Sequence, residues 1–150
     1  MDDLTKNGSC QLMAGNKKIF IVDVEEVQSI DFVNLTTKRV VLKPGFRFAQ
    51  IQADSIESDV EISDGCFSHQ IDCVFFGVKN KYDRLFSDMA RRRWIVKIVD
   101  NSNDIWLSGT KEEPLRFSFR HVSQPKPDGT HHYELSFSRL MTEPQCGAAE

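Results

Sequence analysis

Four histidines, four cysteines and a run of three arginines are the residues of this 150-residue chain whose types could do chemistry. His121, His131, His132 and His69 raise the question of a metal site, because neutral imidazole is a common ligand. Neighbouring positions on a strand point to opposite faces, so His131 and His132 cannot join one site. His121 and His131 could approach across a hairpin turning at Pro125–Gly129. No carboxylate or cysteine stands at ligand spacing to either, so solvated or edge-of-core histidines are expected and no metal. Cys66 or Cys73 with His69 offers a thiol and an imidazole for nucleophilic catalysis. On a strand, His69 and Cys73 share a face but stand about 13 Å apart, too far for a thiolate–imidazole pair. Cys73 lies in an apolar run, where cysteine behaves as a small core residue.

Arg91-Arg92-Arg93 is the sharpest charge cluster. It could contact a phosphate or an acidic partner, and the three arginines are the candidate subunit contacts of this chain. The ordinary account ranks ahead of that one: a helix C-terminus whose cations match the helix dipole and pair with nearby acids. The eight glycines are scattered, and neither G-x-x-x-x-G-K-[ST] nor G-x-G-x-x-G occurs. Glu25-Glu26 and Glu112-Glu113 sit in turn-like contexts that solvation explains. Neither an enzyme nor a bound cofactor is expected.

The elements that must position these residues are short strands around one helix. Asn80 reads as an N-cap with Asp83 three residues on, and Tyr82, Leu85, Phe86 and Met89 make one apolar stripe at i, i+3, i+4 and i+7. This predicts a helix over about 80–92. Trp94–Val99 follows as an apolar strand, Asp100–Asp104 as a turn, and Ile105–Leu107 as the antiparallel return. Arg116–Val122 alternates, with Phe117, Phe119 and His121 on one face. In His131–Met141, Tyr133, Leu135 and Phe137 face inward.

Upstream, Ile19–Val24 is a strand, and Glu25–Phe32 either extends it or bends away. Lys43-Pro44-Gly45 is a turn that would join Arg39–Leu42 to Phe46–Ala53 as a hairpin. Asp54–Asp59 reads as an acidic loop, Val60–Ile62 alternates, and Asp64-Gly65 is a turn. Cys66–Val78 becomes apolar on both faces, as a central strand covered on both sides would. Crossover units would need more helices than this, so the expected fold is mainly β, an antiparallel β-sandwich or barrel of about eight strands with one packed α-helix. The expected organisation is an N-terminal arm over 1–17, a single domain over 18–142 and a C-terminal tail over 143–150.

Composition agrees with a globular chain: 40% of residues are hydrophobic, 27% are charged and eleven are Phe. A net charge of −3 and a pI near 5.8 argue against a nucleic-acid binder that needs a basic face. No window approaches the 18 apolar residues that span a bilayer, and Met1 leads into a polar stretch rather than a secretory signal. Cytosolic synthesis with reduced thiols and no membrane partner are the expectation.

From Leu85 to Pro144 the chain reads as a helix ending in basic residues and then W-I-V-K-I-V-D-N-S-N-D-I-W-L-S-G-T over Trp94–Thr110. A further strand, a P-D-G turn, Y-E-L-S-F-S over Tyr133–Ser138 and Glu143-Pro144 follow. With G-N-K-K-I-F-I-V-D-V-E-E-V over Gly15–Val27, this resembles small tail-tube-like and head–tail joining structural proteins of tailed phages and prophages of Bacteroides-type bacteria. The resemblance covers about half of the chain and brings no catalytic residues. It implies a β-sandwich or barrel flanked by one helix. It also implies a virion protein, made in the host cytoplasm, of the tail tube or neck. Such a subunit forms a homo-oligomeric ring, commonly of six, that meets neighbouring tail or neck proteins and lets DNA pass through its lumen without gripping it. The alternative, from the many Phe, is a monomeric β-barrel that binds a small apolar ligand.

Overall fold

The computed structural model describes residues 18–76, 80–123 and 131–148. The expected arm over 1–17 and the turn at Pro125–Gly129 lie outside the described residues. Among the described residues the chain is mainly β, with one α-helix and eleven strands. The strands are β1 (Lys18–Asp23), β2 (Val27–Phe32), β3 (Thr37–Leu42), β4 (Ala49–Ile51), β5 (Ser55–Ser63) and β6 (Cys66–Phe76). After helix α1 (Asn80–Met89) come β7 (Arg93–Val99), β8 (Ile105–Ser108), β9 (Leu115–Ser123), β10 (His131–Met141) and β11 (Cys146–Ala148). They form one sheet in the order β2-β3-β11-β8-β7-β9-β10-β6-β5, with β1 on the other side of β7 and β4 on β1. The path has two ends, so it is an open, strongly folded sheet rather than a closed barrel.

β7 is the hinge of this arrangement. It pairs with β1 over six positions on one side, and with β8 and then the start of β9 on the other. Trp94, Val96 and Ile98 project into the main core, where they meet Ile71, Phe75, Phe117, Leu135 and Phe137 from the far half of the sheet. Ile95 projects the other way, into a second cluster with Val22, Val27 and Leu107 under the β2–β3 hairpin. β7 is therefore the strand covered on both faces. The expectation assigned that place to Cys66–Val78, but β6 alternates, with His69, Ile71, Cys73 and Phe75 buried and Gln70, Asp72 and Phe76 exposed.

α1 lies over the main core by the predicted stripe: Tyr82, Phe86 and Met89 are buried and Leu85 packs at the margin. Phe86 sits among the rings of Phe75, Phe117, Phe119 and Tyr133 at centroid distances of 5.0–6.0 Å. Asp83 binds the Tyr133 hydroxyl, which donates to Oδ1 at 2.8 Å, and so ties the first turn to β10. The helix stops at Met89, three residues short of the expected end. There the Met89 carbonyl accepts both the Trp94 indole Nε1–H at 2.9 Å and the Arg92 N–H at 3.1 Å, which satisfies the last carbonyl of the helix. Ala90–Arg92 is a turn, so the three arginines lie beyond the helix rather than in its last turn.

Three further differences have local causes, and the open choice at Glu25–Phe32 resolves as a bend. Lys43-Pro44-Gly45 does turn, with Gly45 at φ +87°, but β3 pairs back onto β2 and β4 pairs with β1. Turn chemistry fixes the bend, while burial of Ala49 and Ile51 in the main core selects the partner. The acidic stretch Asp54–Asp59 mostly belongs to β5, which runs in register with β6 for nine pairs. The Asp64-Gly65 turn, with both residues at positive φ, fixes that register. Glu25 and Glu26 lie in a single 3-10 turn, Val24–Glu26, that separates β1 from β2. Cys146–Ala148, inside the expected tail, is strand β11, parallel to β3 and antiparallel to β8.

Phe86→Ala should cost about 3–5 kcal/mol, as emptying a core aromatic site does. Leu35→Ala, at a side chain 98% exposed, should stay within about 0.5 kcal/mol. Urea denaturation of both variants measures the contrast, and equal midpoints would show that the helix does not close the core in this way.

Candidate functional site

A linked set of polar side chains lies beneath the C-terminal segment, drawn from β3, β6, β8 and residues 143–145. Lys38 lies among apolar neighbours with its side chain only 7% exposed, and its ammonium meets Glu143 Oε2 at 2.5 Å and lies 4.8 Å from the centre of the Phe32 ring. Glu143 itself is 44% exposed, so one partner of the pair keeps some water and the other does not. His69 is fully enclosed on β6. Its Nε2 is 2.9 Å from the Glu143 carbonyl, which can only accept, so Nε2 carries the proton. Nδ1 is then the acceptor for the Ser108 hydroxyl at 3.4 Å, and Gln145 Nε2 donates to the same hydroxyl oxygen at 2.8 Å.

A serine hydroxyl aimed at an imidazole is the starting geometry of a nucleophile and its base. Here Ser108 is 1% exposed and Gln145 caps its oxygen, so a substrate arriving from solvent cannot reach it. What the cluster can do is hold the C-terminal segment down. Glu143 uses its carboxylate on β3 and its carbonyl on β6, and Gln145 reaches β8. Gly147 N–H donates to the Thr36 carbonyl at 2.9 Å. A Cβ at Gly147 would meet that same carbonyl oxygen at 3.3 Å, so glycine suits the close approach.

The residues singled out from the sequence are dispersed. Arg92 is a structural cation: it reaches Asp88 at 3.1 Å and the buried Asp23 at 3.3 Å, and so links the end of α1 to the end of β1. Asp23 also accepts from the Glu25 N–H at 3.0 Å. Arg91 is exposed beside a shallow groove with Asp83, Arg84, Ser87 and Asp88. Arg93 is half-buried opposite Arg116 in the β7–β9 register, and donates to the Arg92 carbonyl at 3.2 Å. His121 faces Tyr133 rather than His131, which pairs with Ser123. Among the described residues no group of three or more His, Cys, Asp or Glu could hold a metal ion.

Sequence reasoning missed Lys38, Ser108, Glu143 and Gln145 as a unit. Their separation in the chain exceeds one hundred positions for Lys38 and Glu143. The one signal was alternation: Lys38 falls at an inward position of β3, where a cation requires a counter-ion. The chain matches no family model, and no curated protein or solved structure is significantly similar to it.

Two predictions follow from the burial of these groups. Glu143→Ala strands the Lys38 ammonium and should destabilise by about 1–3 kcal/mol, the upper values of a buried pair being reduced by the exposure of Glu143. Lys38→Met leaves Glu143 able to turn to water and should cost less; the reverse order in denaturant unfolding would refute the asymmetry. Separately, burial and then the nearby Asp72 charge push the Cys73 thiol from 9.0 up to about 12. The folded protein keeps a proton that the unfolded chain releases above pH 9, so this contribution is complete below pH 9 and is lost as pH rises toward 12. Stability should fall by up to about 1.4 kcal/mol per pH unit there. Cys73→Ala should flatten the slope; an unchanged slope would remove the thiol as its cause.

Proposed function

We propose that this protein is a structural subunit that assembles with copies of itself, in a phage tail tube or neck ring as the resemblance implies. The observation that carries the reading is the tip of the β2–β3 hairpin. Phe32, Val33 and Leu35 stand 61%, 51% and 98% exposed within four residues, held in shape by Asn34, whose side chain accepts from the Thr36 N–H at 2.9 Å. Single exposed apolar residues are ordinary, but three on one rigid projection suit insertion into a neighbour. The mainly antiparallel fold with one packed helix agrees with the resemblance. The mild net negative charge agrees with a lumen that lets DNA pass, since each phosphate a protein neutralises adds affinity.

The alternative, an apolar-ligand barrel, needs interior space. The centre of the core is instead occupied by Phe75, Phe86, Phe117, Phe137 and Tyr133, each at most 4% exposed.

Light scattering after size exclusion, with negative-stain electron microscopy, tests the reading. Multiples of the single-chain mass and ring or tube particles are expected, with less assembly for Val33→Asp/Leu35→Asp. Protein that stays at the single-chain mass at high concentration, without rings or tubes, would overturn the proposal. Capsid, terminase or tape-measure genes beside its own would support the phage setting.

A further inference from the structure

The outward face of the β9-β10-β6-β5 half of the sheet carries opposite charge on its two margins. On β5, Glu57, Asp59 and Glu61 alternate outward and are exposed. Among the described residues none of the three carboxylates has a hydrogen-bond or ion-pair partner, although their backbones belong to the β5–β6 ladder. At the opposite margin, where the sheet folds from β9 into β7, Arg116 stands opposite Arg93, and Arg91 follows two residues upstream. Arg116 is exposed and also lacks a counter-ion among the described residues.

The register puts both margins on one row. Asp59 pairs with Gln70, Gln70 with Ser138, Ser138 with Arg116 and Arg116 with Arg93. Three strand spacings separate Asp59 from Arg116, about 14 Å, so they neither pair nor feel much of each other through salt water. On that row the residues between them, Gln70 and Ser138, are neutral; elsewhere the face carries Asp72 and the Arg120–Glu134 pair.

We infer that copies of this chain dock head to tail, with Glu57, Asp59 and Glu61 of one copy against Arg91, Arg93 and Arg116 of the next. This rests on the self-assembly reading above and names the two surfaces that meet. The complement of each margin lies on the same molecule, so displacement along the row brings acid onto arginine, while apposing two like margins repels. Such a contact is heterologous, and it closes into a ring or continues as a filament according to the rotation between copies. The charges set orientation and partner choice, and the assembly should therefore weaken as salt rises.

Two charge-reversed variants test this in the full chain: E57K/D59K/E61K, and R91E/R116E, which spares the half-buried Arg93. Each alone should assemble at least about tenfold more weakly than the parent by light scattering, because both of its margins then carry one sign. An equimolar mixture should regain assembly as alternating copies, since both kinds of junction are again complementary. Raising salt from about 0.05 M to about 0.5 M should dissociate the parent. Circular dichroism checks folding; if a multiple variant loses its strand spectrum, Asp59→Lys and Arg116→Glu, alone and mixed, replace the set. If the parent assembles and the variants match it, or the mixture stays apart, these docking surfaces are wrong while self-assembly stands. A parent that remains a single chain overturns both.

Discussion

Everything in this fold follows from one strand that must be dry on both faces. β7 reads R-W-I-V-K-I-V, and Trp94, Ile95, Val96 and Ile98 are all essentially removed from water. A strand of that kind needs a separate layer on each side. Helix α1 and the β9-β10-β6-β5 half supply one. The β2–β3 hairpin, β8 and β11 supply the other, smaller one. The sheet therefore folds around β7 rather than lying flat, and it changes partner from β8 to β9 along a single side of that strand.

The polar bonds that matter sit where these layers join. The Trp94 indole completes the end of α1, the Tyr133 hydroxyl anchors its beginning, and Arg92 links it to β1 through Asp23. On the other side, Lys38, His69 and Ser108 each bind the segment that leads into β11. All of these but the exposed Arg92 are buried, and Arg92 holds the buried Asp23, so losing a partner would cost stability in each case. Together they specify which segment lies where, a task that apolar contacts alone perform loosely because they lack direction.

Two surfaces bear on assembly. One is the apolar hairpin tip, the other the oppositely charged margins of the β9-β10-β6-β5 face. The arginine run divides by partner: Arg92, though exposed, serves the fold through Asp23 and Asp88, while Arg91 is exposed and Arg93 half-buried opposite Arg116. A cluster that looks uniform in the chain thus holds two kinds of residue, separated by whether a buried carboxylate is within reach.

Local periodicity was enough for much of this. The stripe Tyr82, Leu85, Phe86 and Met89 declared the helix, and inward alternation of Phe117 with Phe119 and of Tyr133, Leu135 and Phe137 declared two core strands. Asp64-Gly65 declared the break after Val60–Ile62. These rest on neighbours a few positions apart, which the order of residues contains directly. Tertiary structure alone decided what depends on distant partners. The acidic residues of β5 look like a loop until β6 offers nine matched positions, and β3 and β4 part at a good turn because different cores claim them. Cys146–Ala148 becomes a strand only because β3 and β8 leave a gap of one strand's width. Lys38 and Glu143, 105 positions apart, become a pair only when that gap is filled. Burial energy is summed over surfaces that the folded chain creates, so no local pattern could announce those partners.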